Sequence, residues 1–229
     1  MPDFLVNWTS ERSIWVEFPD AQYGTRVSCG AADLLRRRLG EQARSVVPAG
    51  PGVLVELEPE LVVGNEVESL INQTARDALA GEDLEWSPRD HLIPVCYDNR
   101  VSPDLRAVAE ACAMSIQELI DLHTKEVYIV ESIGFSPGFG YLGSIDERLQ
   151  LPRRKTPRTQ VPAGSVAIAE RFTAVYPFQT PGGWHLIGRS PTALFLPSDD
   201  SPCSLLRVGD RVRFHAIPYD EFNSRKSAE

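Results

Sequence analysis

The sequence predicts an α+β protein of two domains, and three observations carry that reading. Strand and helix patterns alternate over the first third of the chain, the character changes after residue 88, and the last third is a succession of short strands separated by Pro and Gly. At 229 residues the chain is long enough for two modest domains that each bury a core. Its 42% hydrophobic and 24% charged residues are those of an ordinary globular protein. The domains are expected at 1–88 and 89–229, with residues 80–90 (AGEDLEWSPRD) as the linker.

Residues 13–18 (SIWVEF) alternate apolar and polar side chains as a strand does. Residues 31–39 (AADLLRRRL) follow with helical spacing, and Gly40 suits the helix C-terminus. The run VVPAGPGVLVELEP reads as a hairpin that turns at 48–52. Residues 65–79 place Val67, Leu70, Ile71, Ala75, Ala78 and Leu79 on one helix face. With residues 84–86 as a last short strand the order is βαββαβ, the ferredoxin-like order, which hosts many functions. No catalytic constellation occurs in residues 1–88.

In the second domain HLIPVCY is a strand and residues 103–113 and 115–123 are short amphipathic helices. Leu105, Val108, Ala109 and Cys112 share a face of the first, while Ser115 and Glu118 have capping-box spacing at the start of the second. The segment EVYIVESIG is a further strand, and SVAIAE, GWHLIGR, ALFL and DRVRFHAI are short strands that predict a compact barrel or sandwich.

The formal net charge of −9 disfavours nucleic acid as a partner. No apolar run is long enough to span a bilayer, and MPDFLVNW lacks a basic region followed by an apolar one, so a cytoplasmic location away from membranes is expected. Cys29, Cys96, Cys112 and Cys203 are scattered without C-x-x-C pairs, and read as small buried hydrophobes. His91, His123, His185 and His215 are equally dispersed, so no metal held by protein side chains alone is expected.

The segment 134–169 is where chemistry concentrates. Arg148, Arg153, Arg154, Lys155 and Arg158 crowd positions 148–158 of an acidic chain, and like charges held together call for an anion, a carboxylate or a phosphate. Pro152, Pro157 and Pro162 hold that segment extended, so the guanidinium forks are set for bidentate recognition. Upstream, Gly134, Gly138, Gly140 and Gly143 permit close main-chain approach, and Phe135, Phe139 and Tyr141 offer an apolar wall. Trp184, behind the turn Gly182–Gly183, reads as a core residue.

Two motif matches here fail on physical grounds. Residues 134–138, GFSPG, fit a serine nucleophile elbow with Asp210 and His215 downstream, yet Pro137 follows Ser136 and has no N–H for an oxyanion hole. Residues 138–143, GFGYLG, fit a dinucleotide fingerprint, but no long helix and no acidic strand end follow.

The series IPVCYD, LHT, GFSPGFGYL, LPRRKTPRTQVPAGSVAIA, YPFQTPGGWHLIGR and RVGDRVRF resembles the 5-oxoprolinase B-subunit family, also called allophanate hydrolase subunit 1, which includes a sporulation kinase inhibitor. It runs in order over residues 91–216. Gly140 departs from it, standing where the family pattern GFxPGFPYL has proline. The resemblance implies a cyclophilin-like β-barrel for the second domain. It also implies ATP-dependent opening of 5-oxoproline to glutamate together with a C-subunit, also called allophanate hydrolase subunit 2, and a separate A-subunit. ATP would bring Mg²⁺ as its counter-ion, and the isolated chain would have little activity. No G-x-x-x-x-G-K-[ST] loop occurs, so any ATP site is not a P-loop.

On that reading Arg154 and Arg158 are the expected catalytic cations, with His123 as a proton-transfer or orienting group. Pro137, Gly138, Tyr141, Leu142, Arg153, Gly164 and Ser165 are expected to frame the substrate or ATP pocket. Two other classes compete. The chain could dock on a histidine kinase through PRRKTPR and the Trp184 turn, or serve an allophanate or urea-amide hydrolase, although it lacks the Ser-Ser-Lys segment of an amidase. Prolyl isomerase activity has only barrel shape behind it. An exposed apolar groove in the second domain would favour an obligate hetero-complex.

Overall fold

A computed structural model describes residues 4–19, 24–60, 65–81, 85–143, 145–196 and 203–226. They belong to two compact units, Met1–Pro88 and Arg89–Glu229.

The first unit contains β1 (Leu5–Trp8), β2 (Ser13–Glu17), α1 (Gly24–Leu39), β3 (Ala43–Ala49), β4 (Gly52–Leu57) and α2 (Asn65–Ala80). Its four-stranded sheet has the order β1-β2-β4-β3, with antiparallel neighbours throughout. The pairs Ile14↔Val55 and Val16↔Val53 send alternate residues to one face. There they meet Val27, Ala31 and Leu35 of α1 and Val67, Ile71 and Ala75 of α2, the stripes that helical spacing dictates.

The α+β class holds, and the sheet keeps the ferredoxin-like plan in which β4 lies between β2 and β3. The edge strand, however, comes from the other end of the unit: β1 pairs with β2, Glu85 and Trp86 are not in a strand, and Leu84 lies outside the described residues. An edge strand has only one partner and half the packing, so its pattern is weak. LEW is the edge strand that the sequence predicts, whereas LVNW takes that place.

The second unit contains β5 (Asp90–Val95), α3 (Leu105–Ala111), α4 (Ile116–Lys125), β6 (Tyr128–Ile133), β7 (Gly140–Gly143), β8 (Arg158–Val161), β9 (Ser165–Ala169), β10 (Phe172–Val175), β11 (Thr180–Gly182), β12 (His185–Arg189), β13 (Phe195–Leu196), β14 (Cys203–Ser204), β15 (Arg211–Ala216) and α5 (Tyr219–Lys226). Seven strands pair in the order β12-β9-β10-β7-β6-β15-β5. Past β5, Cys96 exchanges two backbone hydrogen bonds with Arg189 at 2.8 and 2.9 Å, so the last strand meets the first and the sheet closes into a barrel.

Every residue of β9 is buried because both of its faces are covered. Val166 and Ile168 enter the barrel core with Tyr128, Val130, Leu142, Val175, Ile187 and Phe214. Ala167 and Ala169 face outward into a second cluster with Phe139, Ala174, Tyr176, Trp184 and Leu186, and Val161 of the β8–β11 hairpin joins that outer layer.

Helix α4 starts with the capping box its spacing predicts. Ser115 Oγ accepts from Glu118 N–H at 3.2 Å, and Glu118 accepts from Ser115 N–H at 2.7 Å. Ser115→Ala should therefore cost about 1 kcal/mol in urea unfolding, and an unchanged midpoint would refute that contribution. No helix among the described residues is long and apolar enough to cross a membrane.

Candidate active site

Arg148 lies in a 3-10 turn, Glu147–Leu149, and from Gln150 on the basic segment lies over the outer layer of the barrel without helical structure, pinned at several points. Leu151 carbonyl accepts from Glu170 N–H at 2.7 Å, the His185 ring bonds Pro152 carbonyl at 2.9 Å, and Arg154 N–H donates to Gly183 carbonyl at 2.8 Å. Beyond Pro157 the chain joins β8, whose Arg158 lies opposite Gly182.

These attachments deliver Arg154 and Arg158 to one carboxylate. Asp104 is only 5% exposed, and its Oδ1 accepts from Arg154 at 3.1 Å and from Arg158 at 2.7 Å. Its Oδ2 accepts from Leu186 N–H at 2.7 Å, and its own N–H donates to Leu186 carbonyl at 3.0 Å. Asp104 precedes α3 but does not cap it, since its carboxylate is committed to the arginines and β12. Arg154 Nε and Arg158 Nη1 are buried without a hydrogen-bond partner. A guanidinium N–H withdrawn from water and left unpaired is unfavourable, and an acceptor oxygen would relieve it.

Beside this centre stands an aromatic wall. Phe139, Tyr141, Tyr176 and Trp184 meet edge to face, with ring centroids 5.0 to 5.8 Å apart. Burial pushes the Tyr176 phenol up to about 12, with Tyr141 adding to the shift while Arg153, the Trp184 backbone N–H and Arg158 oppose it. Arg153 itself is exposed, as is Lys155, and Arg148 is engaged by Asp146 at 2.6 Å.

The other expected residues divide. Tyr141 stands in the wall. Gly138 (φ +77°) and Gly164 (φ +78°) adopt the left-handed region, and added Cβ atoms would meet Leu194 and Ser190. Gly138 therefore shapes the turn that contains exposed Pro137, and Gly164 borders a separate cleft of about 190 Å³ with Arg189, Ser190 and Phe222.

Three expectations do not fit their positions. Leu142 is fully buried in the barrel core, facing away from the wall. Ser165 is buried and spends its hydroxyl on Pro162 carbonyl at 2.7 Å. His123 is sealed inside the barrel, stacked on Phe214 with centroids 4.7 Å apart. Its Nδ1 meets the Tyr97 hydroxyl at 2.7 Å and its Nε2 meets Thr173 Oγ1 at 2.9 Å. Because Thr173 donates onward to Ala167 carbonyl, its oxygen accepts from Nε2–H, and Nδ1 accepts from Tyr97. Burial drives this imidazole down to about 3. It is a neutral core residue with no nitrogen free for substrate.

The triad pattern also stays unassembled: Asp210 bonds Arg89 and His91 at 2.7 and 2.9 Å. Sequence reasoning missed Asp104, which resembles an ordinary helix start, and Tyr176. The one signal for Asp104 was the need of buried arginines for a counter-charge.

The model for the family described as carboxyltransferase domain, subdomain C and D, matches residues 4–205, and the chain belongs to this family. Among named relatives it is similar to the 5-oxoprolinase B-subunit of Bacillus subtilis, 46% identical over 66% of this chain and 62% of that protein. Its similarity to the 5-oxoprolinase B-subunit of Escherichia coli O157:H7 is 44% identity over 77% of this chain and 80% of that one. The match thus spans less than two thirds of the Bacillus subtilis relative.

These relatives bear out the family read from the motifs and do not favour the kinase-docking or allophanate readings. Among solved structures, TTHA0988 superposes with a TM-score of 0.76 at 33% identity, over 90% of this chain and 39% of that one. The conserved uncharacterized protein PH0987 from Pyrococcus horikoshii gives 0.56 at 33% identity, over 95% and 100%. The K. lactis urea amidolyase shares the fold, with a TM-score of 0.71 at 13% identity over 98% of this chain and 16% of that one.

Proposed function

We propose that this chain is the B-subunit of a multi-subunit ATP-dependent 5-oxoprolinase, acting with the C- and A-subunits, and that the Arg154–Asp104–Arg158 centre is its part of the reaction site. The observation that carries the reading is the pair of arginines on one buried carboxylate with two N–H groups left unpaired. Names borne by the relatives supply the reaction class.

A lactam carbon becomes a good electrophile once its oxygen carries a phosphoryl group from ATP, after which water adds, the ring C–N bond breaks with its nitrogen taking a proton, and the acyl phosphate so formed is hydrolysed by a second water to glutamate and phosphate. Each stage gathers negative charge, and preorganised cations and donors are what stabilise it. Arg154 and Arg158 supply a cationic centre and donors for an anionic reactant, held in place by Asp104, while Tyr141 and Trp184 flank the guest. Their donors fit an anionic oxygen of substrate or nucleotide. ATP would bring Mg²⁺ as its counter-ion.

An apolar rim supports the hetero-complex: Phe135 and Leu196 are each 60% exposed, and Phe178 is 38% exposed. Glutamate and phosphate should appear only when this chain is mixed with its A- and C-subunit partners, 5-oxoproline and ATP. Full turnover by those two partners without this chain would sink the proposal.

A further inference from the structure

The arginine centre has a defined charge. Two guanidinium groups share one carboxylate, so two positive charges against one negative leave a single positive charge in a partly buried site. Asp104 is not free to rearrange, because β12 holds its second oxygen and its backbone N–H.

Two unpaired donors belong to this centre, and the Tyr176 phenol lies near enough to feel the charge of Arg158. Arg154 Nε and Arg158 Nη1 have no partner. The Tyr176 oxygen receives the Trp184 backbone N–H, and burial keeps its own proton in place as a donor. The aromatic wall beside them favours a flat body over a tetrahedral, fully hydrated one.

We infer that this centre is a subsite for a monoanionic carboxylate carried on a flat ring, with Asp104 as the positioning residue that sets the charge of the guest. This rests on the reading of the chain as the B-subunit of a 5-oxoprolinase, where the guest is the carboxylate of 5-oxoproline rather than a phosphoryl oxygen of ATP. A monoanion neutralises the centre, whereas a phosphate dianion would leave uncompensated negative charge where water is scarce. Arg153 and Lys155 are both exposed, so solvent screens their share of that balance, although Arg153 also acts on the Tyr176 phenol.

The test is a calorimetric titration of the full chain, alone and with its C-subunit partner, using 5-oxoproline, its neutral carboxamide and inorganic phosphate. The acid should bind at least about tenfold more tightly than the carboxamide and more tightly than phosphate. Arg154→Gln and Arg158→Gln, which each cancel the excess charge, should weaken the acid by about tenfold or more. Asp104→Asn raises the charge from one to two and should swing the ratio of acid to phosphate binding toward phosphate by about tenfold. Should that variant not fold, as read by near-ultraviolet dichroism, Arg154→Lys keeps the charge but removes the Nε donor and should still weaken the acid.

Equal binding of acid and carboxamide, tighter binding of phosphate, or glutamine variants that bind as the parent does would each overturn the subsite. So would failure of 5-oxoproline to bind the chain in either state. Intact carboxylate binding with no glutamate from the reconstituted complex would sink the 5-oxoprolinase reading alone. Glutamate formation whose KM for 5-oxoproline ignores Arg158→Gln would sink the subsite alone.

Discussion

Replacing Asp104 by alanine is expected to destabilise the barrel unit by about 3–5 kcal/mol, the range for removing one partner of a buried ion pair. The carboxylate accepts from Arg154, Arg158 and the Leu186 N–H, so its loss strands two cations and a buried amide together. The replacement of either arginine should be milder, since the other still pairs with Asp104 and both side chains keep some contact with water, at 32% and 23% exposure. Urea unfolding followed by near-ultraviolet dichroism of buried Trp184 reads the difference. A loss below about 1 kcal/mol would mean that the centre is solvated and contributes little.

A second large effect concerns pH. Within the barrel His123 is neutral, its imidazole driven from 6.5 down to about 3 by burial. Between those two values the unfolded chain binds a proton that the folded chain does not. Stability therefore falls as the solution is acidified from about pH 6.5 toward pH 3, by up to about 1.4 kcal/mol per pH unit from this group. His123→Gln cannot titrate, and its amide can still donate to Thr173 or accept from Tyr97. That variant should be less stable near neutrality, yet its stability should decline with acid less steeply, by about that slope. Parallel pH profiles for the two proteins would show that His123 does not govern acid unfolding.

Much of the fold was legible because its signals are local. Alternation in Ser13–Glu17, the stripe along Asn65–Ala80 and the capping box at Ser115 each arise from residues a few positions apart. The cationic cluster was legible for the same reason. Its meaning was not, because Asp104 lies 50 positions from Arg154 and 54 from Arg158, and only closure of the barrel brings them together. His123 was misread by the same blindness. Its place at the end of a helix left a proton-transfer or orienting role open, whereas Thr173, 50 positions away, and Tyr97 enclose it. A titratable side chain reveals its chemistry in the sequence and its solvent exposure only in the fold. Helix α5 escaped notice since little but Tyr219 and Phe222 along it packs on the unit.

The most direct test of the central claim is the KM for 5-oxoproline in glutamate formation by the A- and C-subunit partners reconstituted with this chain or with its Arg158→Ala variant. A KM raised at least about tenfold, equivalent to about 1.4 kcal/mol, with the variant still folded and still co-eluting with its partners, is the predicted result. An unchanged KM together with unchanged turnover, repeated in the Arg154→Ala, Arg158→Ala double variant, would contradict it and move the reaction site off the outer face of the barrel.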